Sequence, residues 1–137
     1  MAQAGYSGTP LAKKLGLKNG MTIITRSSPQ PYNSYFSQFP NIIKVTDPPA
    51  PESIDFIHIF GHSFEQLEKH YPPLKQALKK NGLMWISWPK KSSKIESNIT
   101  RESLRSYVLD RGLVDVKVCA IDDDWSALKF VYRVKDR

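Results

Sequence analysis

The stretch WPKK, which follows the apolar run LMWISW, joins one aromatic side chain to two cations. Trp88, Lys90 and Lys91 suit a phosphate-bearing or nucleic-acid ligand, because a ring can stack while ammonium groups pair with phosphates. Lys94 and Arg101 extend the positive charge, so weak, non-specific nucleic-acid binding is one hypothesis for this region. The alternative is structural: Trp88 closes the hydrophobic core, and the lysines solvate a loop.

Two further pairs of small or polar residues follow predicted strands. Ser27 and Ser28 come after the first strand, and Gly61 and His62 come after a strand at 54–60. Ligands of open α/β sheets bind beyond the carboxyl ends of the strands, so these residues and WPKK are candidate binding residues. His62 could act there as an acid–base group, but the sequence offers it no identifiable partner. Its alternative role is to shape a turn.

An acidic residue, Asp47, ends the second predicted strand. It follows the first strand by about 20 residues, which is the spacing of a ribose-binding acid in nucleotide-binding folds. The same residue belongs to TDPP, and an aspartate before proline commonly starts a turn. Asp47 is therefore a candidate for ribose binding and, equally, for turn formation.

The remaining chemistry-bearing residues favour structural roles. Asp122–Asp124 lie in a predicted hairpin turn, where three consecutive carboxylates cannot all face one metal ion. Cys119 alternates within a strand, which predicts packing. His58 lies in an apolar strand as a core histidine, and His70 is expected late in a helix, where its charged form favours the dipole. The sequence thus predicts no metal site and no catalytic residue.

The composition bounds the class of protein. A length of 137 residues with 40% apolar and 24% charged residues predicts one globular domain over 1–137. No run approaches 18 apolar residues and no secretion signal is recognisable, so we expect a soluble, cytoplasmic protein without a membrane partner. The single cysteine excludes an internal disulfide. The net charge of +7 admits nucleic acid, but dispersed lysines favour solubility and helix capping.

The first half of the chain predicts one short helix and two strands. In GYSGTPLAKKLG, Ser7 or Thr9 can cap a helix, Pro10 suits its first position, and Gly16 supplies a left-handed end. No strand precedes this segment, which excludes a phosphate-binding loop. Strands are predicted at 21–25 and 41–47, with about one helical turn between the prolines at 31 and 40. The direction of the 41–47 strand stays open.

The second half alternates strands with helices. A strand at 54–60 precedes a helix that begins at Ser63, is interrupted or kinked at Pro72–Pro73 and ends at Gly82. A strand at 83–88, a helix capped by Thr100 and an antiparallel hairpin complete the chain. This order predicts an α/β, Rossmann-like three-layer sandwich with a mostly parallel sheet and a C-terminal antiparallel hairpin.

From residue 54 onward, over about 80 residues, this order resembles the second half of a class I S-adenosylmethionine-dependent methyltransferase. The motifs GYSGTPLAKKLG, WISWPKK and GLVDVKVCAIDDDWSALKF also resemble a family of short bacterial proteins catalogued as a domain of unknown function. The first resemblance implies a truncated methyltransferase-like fold with S-adenosylmethionine as cofactor. The second implies a bacterial, intracellular protein and no particular activity.

The bend after the first strand argues against that cofactor. It reads TRSSPQPY, without the glycines that let amides approach a nucleotide, and Pro29 and Pro31 have no N–H to donate. Asp47 to Ser53 spans at most about 23 Å, too short for a helical crossover, so the second strand is antiparallel or returns through an extended loop. Both arguments predict a degenerate cofactor crevice.

Three functions follow, in order of preference. The first is a non-catalytic binding or regulatory protein that takes a protein partner or an anionic ligand at its strand ends and no cofactor. The alternative is a small S-adenosylmethionine-dependent methyltransferase with Asp47 on the ribose. The second alternative is the nucleic-acid binder that uses the basic residues after the 83–88 strand.

Overall fold

The computed structural model describes residues 9–45 and 47–137. Helices and strands alternate along most of the chain, and two short 3-10 turns lie at Tyr32–Tyr35 and Val134–Asp136. The elements in chain order are α1 (Leu11–Leu15), β1 (Thr22–Arg26), β2 (Ile43–Lys44), β3 (Ile54–Phe60), α2 (Phe64–Ala77), β4 (Leu78–Pro89), α3 (Arg101–Leu109), β5 (Leu113–Ala120) and β6 (Trp125–Tyr132).

The strands form one six-stranded sheet in the order β2-β1-β3-β4-β6-β5. The first four strands are mutually parallel, whereas β6 runs antiparallel to both β4 and β5. The predicted α/β architecture, with its mostly parallel sheet and C-terminal antiparallel hairpin, is therefore confirmed. The chain order reverses between β1 and β3, since β2 lies on one side of β1 and β3 on the other.

Apolar layers cover both faces of the sheet. On one face the sheet packs against α2 and α3, which contribute Leu67, Leu74 and Leu104 among others. On the other face it packs against α1 and the 3-10 turn, which contribute Leu15 and Tyr35. β3 is buried on both faces, as its nearly continuous apolar sequence predicts.

The short first helix ends as predicted but begins differently. Gly16 adopts a φ of +75° at its carboxyl end, which is the left-handed conformation expected there. Pro10 precedes the helix as its cap residue rather than occupying the first helical position, and its own side chain makes no capping hydrogen bond. The predicted cap Ser7 lies outside the described residues. The Trp85 Nε1–H donates to the Leu15 carbonyl at 2.8 Å, which fixes α1 on the sheet.

The second strand is parallel to β1, which resolves the direction that the sequence leaves open. It spans Ile43–Lys44, much less than the predicted 41–47, and both of its residues are exposed at the sheet edge. The chain returns to β3 without a helix. Of the two alternatives allowed by the short segment from Asp47 to Ser53, the return through an extended loop is therefore confirmed.

Helix α2 differs from the prediction in two ways. It continues through Pro72–Pro73, both exposed, and it ends at Ala77 instead of Gly82. Leu78 adopts an extended conformation and pairs with Ile54, so LKKNG begins β4. These residues lie in the sheet because they pair with β3. This tertiary interaction outweighs their helix propensity, which is only a weak preference.

The second half otherwise follows the prediction closely. Thr100 caps α3 in a reciprocal capping box with Ser103, and Gly112 follows the helix with a φ of +104°. The terminal hairpin forms β5 and β6. Among the described residues, none of the helices combines the length and the apolar character needed to cross a membrane.

Candidate functional site

The carboxyl ends of β1 and β3 bring two predicted site residues together. The His62 Nε2–H donates to the Ser27 carbonyl at 2.9 Å. The Gln66 side-chain amide donates to the Ser27 hydroxyl at 3.0 Å, and His70 Nε2 lies 3.3 Å from the same hydroxyl oxygen. The start of α2 thus binds the bend after β1 directly, at the point where the chain order of the sheet reverses.

Backbone geometry singles out Ser27 as well. Its φ is +60°, in the left-handed region that glycine occupies most readily. The bend therefore adopts a glycine-like conformation without glycine, and its three side-chain contacts compensate for the conformational cost. Ser28 has a local role, since its hydroxyl donates to the Gln30 carbonyl at 2.6 Å within the same bend.

Packing and hydrogen bonds surround His62 and Gly61. The His62 ring meets the Trp125 ring edge-on with centroids 4.9 Å apart, and the His62 backbone N–H donates to Gln66 Oε1 at 2.9 Å. The Gly61 N–H donates to the Ser87 carbonyl at 2.8 Å. These contacts give both residues a positioning role at the end of β3, and they include no carboxylate beside the His62 ring.

The predicted role of His70 is wrong. It lies seven residues before the end of α2, in the middle of the helix rather than near the carboxyl end. Its pKa is lowered from its ordinary value by burial and by the charges of Arg26 and Lys69. Both facts favour the neutral ring, because a nearby positive charge opposes protonation.

The interpretation of His58 as a core histidine is confirmed. It is completely buried, and its two ring nitrogens contact the Tyr32 hydroxyl at 2.7 Å and the Ser87 hydroxyl at 2.6 Å. Burial lowers the pKa of His58 to about 3, so the ring is neutral at physiological pH. The sequence did not identify either partner, since both come from other segments of the chain.

A cavity of about 650 Å³ lies beside β1 and β2, and Asp47 lines it. The Asp47 carboxylate forms an ion pair with Arg26, with Oδ1 and Nη2 2.5 Å apart. Tyr32, Phe39 and Val45 contribute apolar or aromatic side chains to the wall of this cavity. Arg26 is a functional candidate that sequence reasoning missed, although its place as the last residue of β1 was a usable signal.

A second cleft of about 840 Å³ lies at the carboxyl end of β4, between the amino ends of α2 and α3. Trp88 lines it but is only 8% exposed and packs into the core, as the structural alternative proposes. The predicted basic residues line it together with three acids: Lys90, Lys91, Lys94 and Arg101 face the same space as Glu65, Glu96 and Glu102.

The helix ends at this cleft are already capped by protein side chains. The Phe64 N–H donates to Asn98 Oδ1 at 2.7 Å, and the Gln66 N–H donates to the Ser63 hydroxyl at 3.1 Å. At α3, the Ser103 N–H donates to the Thr100 hydroxyl at 3.0 Å. An anion at this cleft would therefore face both positive and negative side chains. Several N–H groups at the helix ends already donate hydrogen bonds to protein side chains.

The acidic turn and the cysteine have the predicted structural roles. Asp122 Oδ1 accepts from the N–H groups of Asp124 and Trp125 at 2.8 and 2.9 Å, which forms an aspartate turn. Cys119 is buried in β5, and burial raises the pKa of its thiol. Within residues 9–45 and 47–137, no group of His, Cys, Asp and Glu side chains is arranged to hold a metal ion.

Several solved structures with this fold are methyltransferases, although no protein-family model and no curated protein sequence matches the chain. A proposed type 11 methyltransferase from Sulfolobus solfataricus superposes with a TM-score of 0.65 at 15% identity, covering 90% of each chain. An S-adenosylmethionine-dependent methyltransferase from Aquifex aeolicus gives 0.62 at 16% identity, covering 88% of this chain and 86% of its own. A proposed sarcosine dimethylglycine methyltransferase from Galdieria sulphuraria gives 0.55 at 14% identity, covering 88% and 82%. The chain therefore has a methyltransferase-like Rossmann fold.

Proposed function

We propose that the chain binds S-adenosylmethionine and acts as a small methyltransferase, with the adenosine in the cavity beside β1 and β2. The observation that carries this proposal is Asp47, a carboxylate held by Arg26 just beyond the carboxyl end of β2 and lining that cavity. An acid at this place in a nucleotide-binding fold bonds the ribose hydroxyls. The methyltransferases of the same fold support the proposal at the level of fold alone.

The adenosine half of the cofactor fits the residues present. A volume of about 650 Å³ lies within the range of small-molecule sites, which are largely apolar with a few placed polar groups. Tyr32 and Phe39 offer ring surfaces for a base, and Asp47 offers an acceptor. Arg26 contacts Oδ1 of that carboxylate, and Oδ2 has no partner among the described residues.

The methionine half is recognised by fewer groups. The left-handed Ser27 gives the bend a glycine-like path, and the residues at 28 and 30 carry N–H groups, whereas Pro29 and Pro31 carry none. When bound, S-adenosylmethionine supplies an activated methyl group. The protein's own contribution is to hold the bend through His62 and to fix the Asp47 carboxylate through Arg26.

A second candidate function is ligand binding without methyl transfer. The contacts between α2 and the bend after β1 favour it. Ser27 is contacted by His62, Gln66 and His70, so protein side chains already occupy its polar groups at the ends of β1 and β3. Ligands of open α/β sheets normally occupy such a reversal point. In this candidate the cavity beside β1 and β2 recognises a nucleoside alone.

Calorimetric titration with S-adenosylmethionine tests the ribose contact. We expect saturable binding that Asp47→Asn weakens at least tenfold, because the neutral amide is a poorer acceptor for two hydroxyl donors. Loss of the exposed Arg26 pair costs about 0.2–1 kcal/mol of stability, so the variant still folds. Asp123→Asn, in the exposed hairpin turn, removes the same charge and is expected to bind normally.

Titration with adenosine and S-adenosylhomocysteine separates the two candidates. A methyltransferase is expected to bind S-adenosylmethionine at least tenfold more tightly than adenosine, because the amino-acid half adds contacts at the bend. Equal affinity for the two would support nucleoside binding alone. Absence of saturable binding by any of the three, or unchanged affinity in Asp47→Asn, would overturn the proposal.

A further inference from the structure

A β-bulge in the terminal hairpin places two lysines side by side. Leu113 to Asp115 pair with β6 in one register, the register shifts after Asp115, and Lys117 then lies directly opposite Lys129. Directly opposed residues of an antiparallel pair project from the same face of the sheet. Without the register shift, Val116 would lie opposite Lys129 and Lys117 opposite Leu128. Bulges commonly re-aim a side chain, and this one aligns two positive charges.

The pair belongs to a larger basic surface. Burial and the charges of Lys117 and Lys18 lower the pKa of Lys129, so the three lysines interact electrostatically. Like charges directly opposite each other destabilise a sheet. The ion pairs of the described chain engage other cations, namely Arg26, Lys79 and Arg105. The three lysines therefore repel one another without a salt bridge from a carboxylate in residues 9–45 and 47–137.

A small cavity of about 230 Å³ adjoins Lys129 toward the amino end of β4. Lys80 and Arg137 line it, and its described lining contains no acidic residue. Both cations are held in place by Tyr132: the Lys80 ammonium lies 4.4 Å from the centre of its ring, and the Arg137 Nε–H donates to its carbonyl at 3.1 Å. We call the five residues Lys18, Lys80, Lys117, Lys129 and Arg137 the hairpin basic surface.

We propose that the hairpin basic surface binds the phosphate backbone of double-stranded nucleic acid. Lys129 lies opposite Lys117 and lines the small cavity with Lys80 and Arg137, so cations from separate segments lie around it. An opposing polyanion reduces the repulsion between them. The surface lies away from the carboxyl ends of the strands, so it is separate from the proposed cofactor cavity. The described lining of its small cavity includes no aromatic side chain for stacking on unpaired bases, which favours a duplex over a single strand.

The comparison with the WPKK region supports this choice. That region also carries four cations, but three glutamates line the same cleft. Net positive potential, rather than the number of lysines, attracts a nucleic-acid backbone. The sequence analysis assigns weak, non-specific nucleic-acid binding to the loop after β4, whereas this proposal assigns duplex binding to the hairpin basic surface.

Fluorescence anisotropy with a labelled duplex of random sequence, measured across a salt series, tests the proposal. Contacts to four or five phosphates give a slope of log affinity against log salt of about −4, at about −0.9 per phosphate. Lys117→Gln with Lys129→Gln is expected to weaken binding at least tenfold in low salt and to reduce that slope by about 2. Its melting temperature is expected to be unchanged or higher, because the like-charge pair is removed.

Lys90→Gln with Lys91→Gln is the matched control, since it removes the same charge at the other surface. We expect it to retain most of the affinity and the slope. An equal loss in both double variants would overturn the assignment, as would an affinity independent of salt. Stronger binding to vesicles with anionic lipid than to the duplex, measured by co-sedimentation and lost in Lys117→Gln/Lys129→Gln, would identify a membrane surface instead and contradict the proposal.

Discussion

Lowering the pH from 7 to 5 is expected to reduce the free energy of unfolding by about 2 kcal/mol through His58 alone. This ring is completely buried, and its pKa is lowered from 6.5 to about 3. Each unit of difference between the folded and unfolded pKa is worth about 1.4 kcal/mol. Between pH 6.5 and about 3 the unfolded chain binds a proton that the folded chain excludes.

The direction of the effect follows from proton binding. Above pH 6.5 both states hold a neutral His58, so pH has no effect through this residue. Below pH 6.5 the unfolded state gains a proton, and folding stability falls by about 1.4 kcal/mol per pH unit until the folded ring titrates. The hydrogen bonds with the Tyr32 and Ser87 hydroxyls fix the ring in place but leave it without a carboxylate partner.

Urea unfolding at pH 7, 6 and 5 measures this effect. His58→Gln retains a hydrogen-bond donor and an acceptor and does not titrate, so its stability is expected to lose this part of the pH dependence. His70→Gln is the control, because it removes a less buried histidine and should leave most of the slope. An unchanged slope in His58→Gln, or an NMR titration of the His58 ring near pH 6.5, would contradict the prediction.

Gly82→Ala is expected to lower the free energy of unfolding by about 2–3 kcal/mol. A Cβ at this position would lie 3.0 Å from the Asp55 carbonyl oxygen, 3.1 Å from the Ile54 carbonyl oxygen and 2.8 Å from Leu78 Cδ1. Two of these atoms are backbone of β3, the strand that pairs with β4. Relief therefore requires the two strands to separate. The smaller gain from a less flexible unfolded chain, about 0.4–1 kcal/mol, does not offset this cost.

Gly61→Ala is the matched control for this variant. Its Cβ would approach Ile99 Cδ1 at 2.8 Å, but that atom ends a side chain that can rotate, and the nearest backbone atom is 3.4 Å away. We expect a loss of about 1 kcal/mol or less. Equal losses for the two variants in chemical denaturation would show that backbone proximity at Gly82 is not the cause.

Sequence patterns predicted the local features of the fold well. The strand at 54–60 has the predicted bounds because an apolar run of that length is typical of a strand buried on both faces. Thr100 and Gly16 fulfil their predicted roles because helix ends depend on residues within one turn. The boundary between α2 and β4 was misplaced because pairing of Leu78 with Ile54 depends on a distant strand.

The candidate site was predicted only as an edge of the sheet. The sequence placed Ser27, His62 and Asp47 at strand ends, and the structure brings the first two into contact. It could not show that Asp47 pairs with Arg26, since 21 residues separate them. The prediction of a degenerate crevice rested on the missing glycines and on the short return from Asp47 to Ser53. The bend lacks glycine, yet Ser27 adopts the left-handed conformation that glycine would supply.

The sequence alone determined the order of strands and helices, the amino-terminal caps of α2 and α3 and the turn at Asp122–Asp124, because neighbouring residues specify each of them. Tertiary structure decided which side chains meet. Only the sheet register sets Lys117 beside Lys129, and only packing between segments gives His58 its two hydroxyl partners. Such contacts depend on pairings between residues far apart in the chain, which no local pattern of residue types encodes.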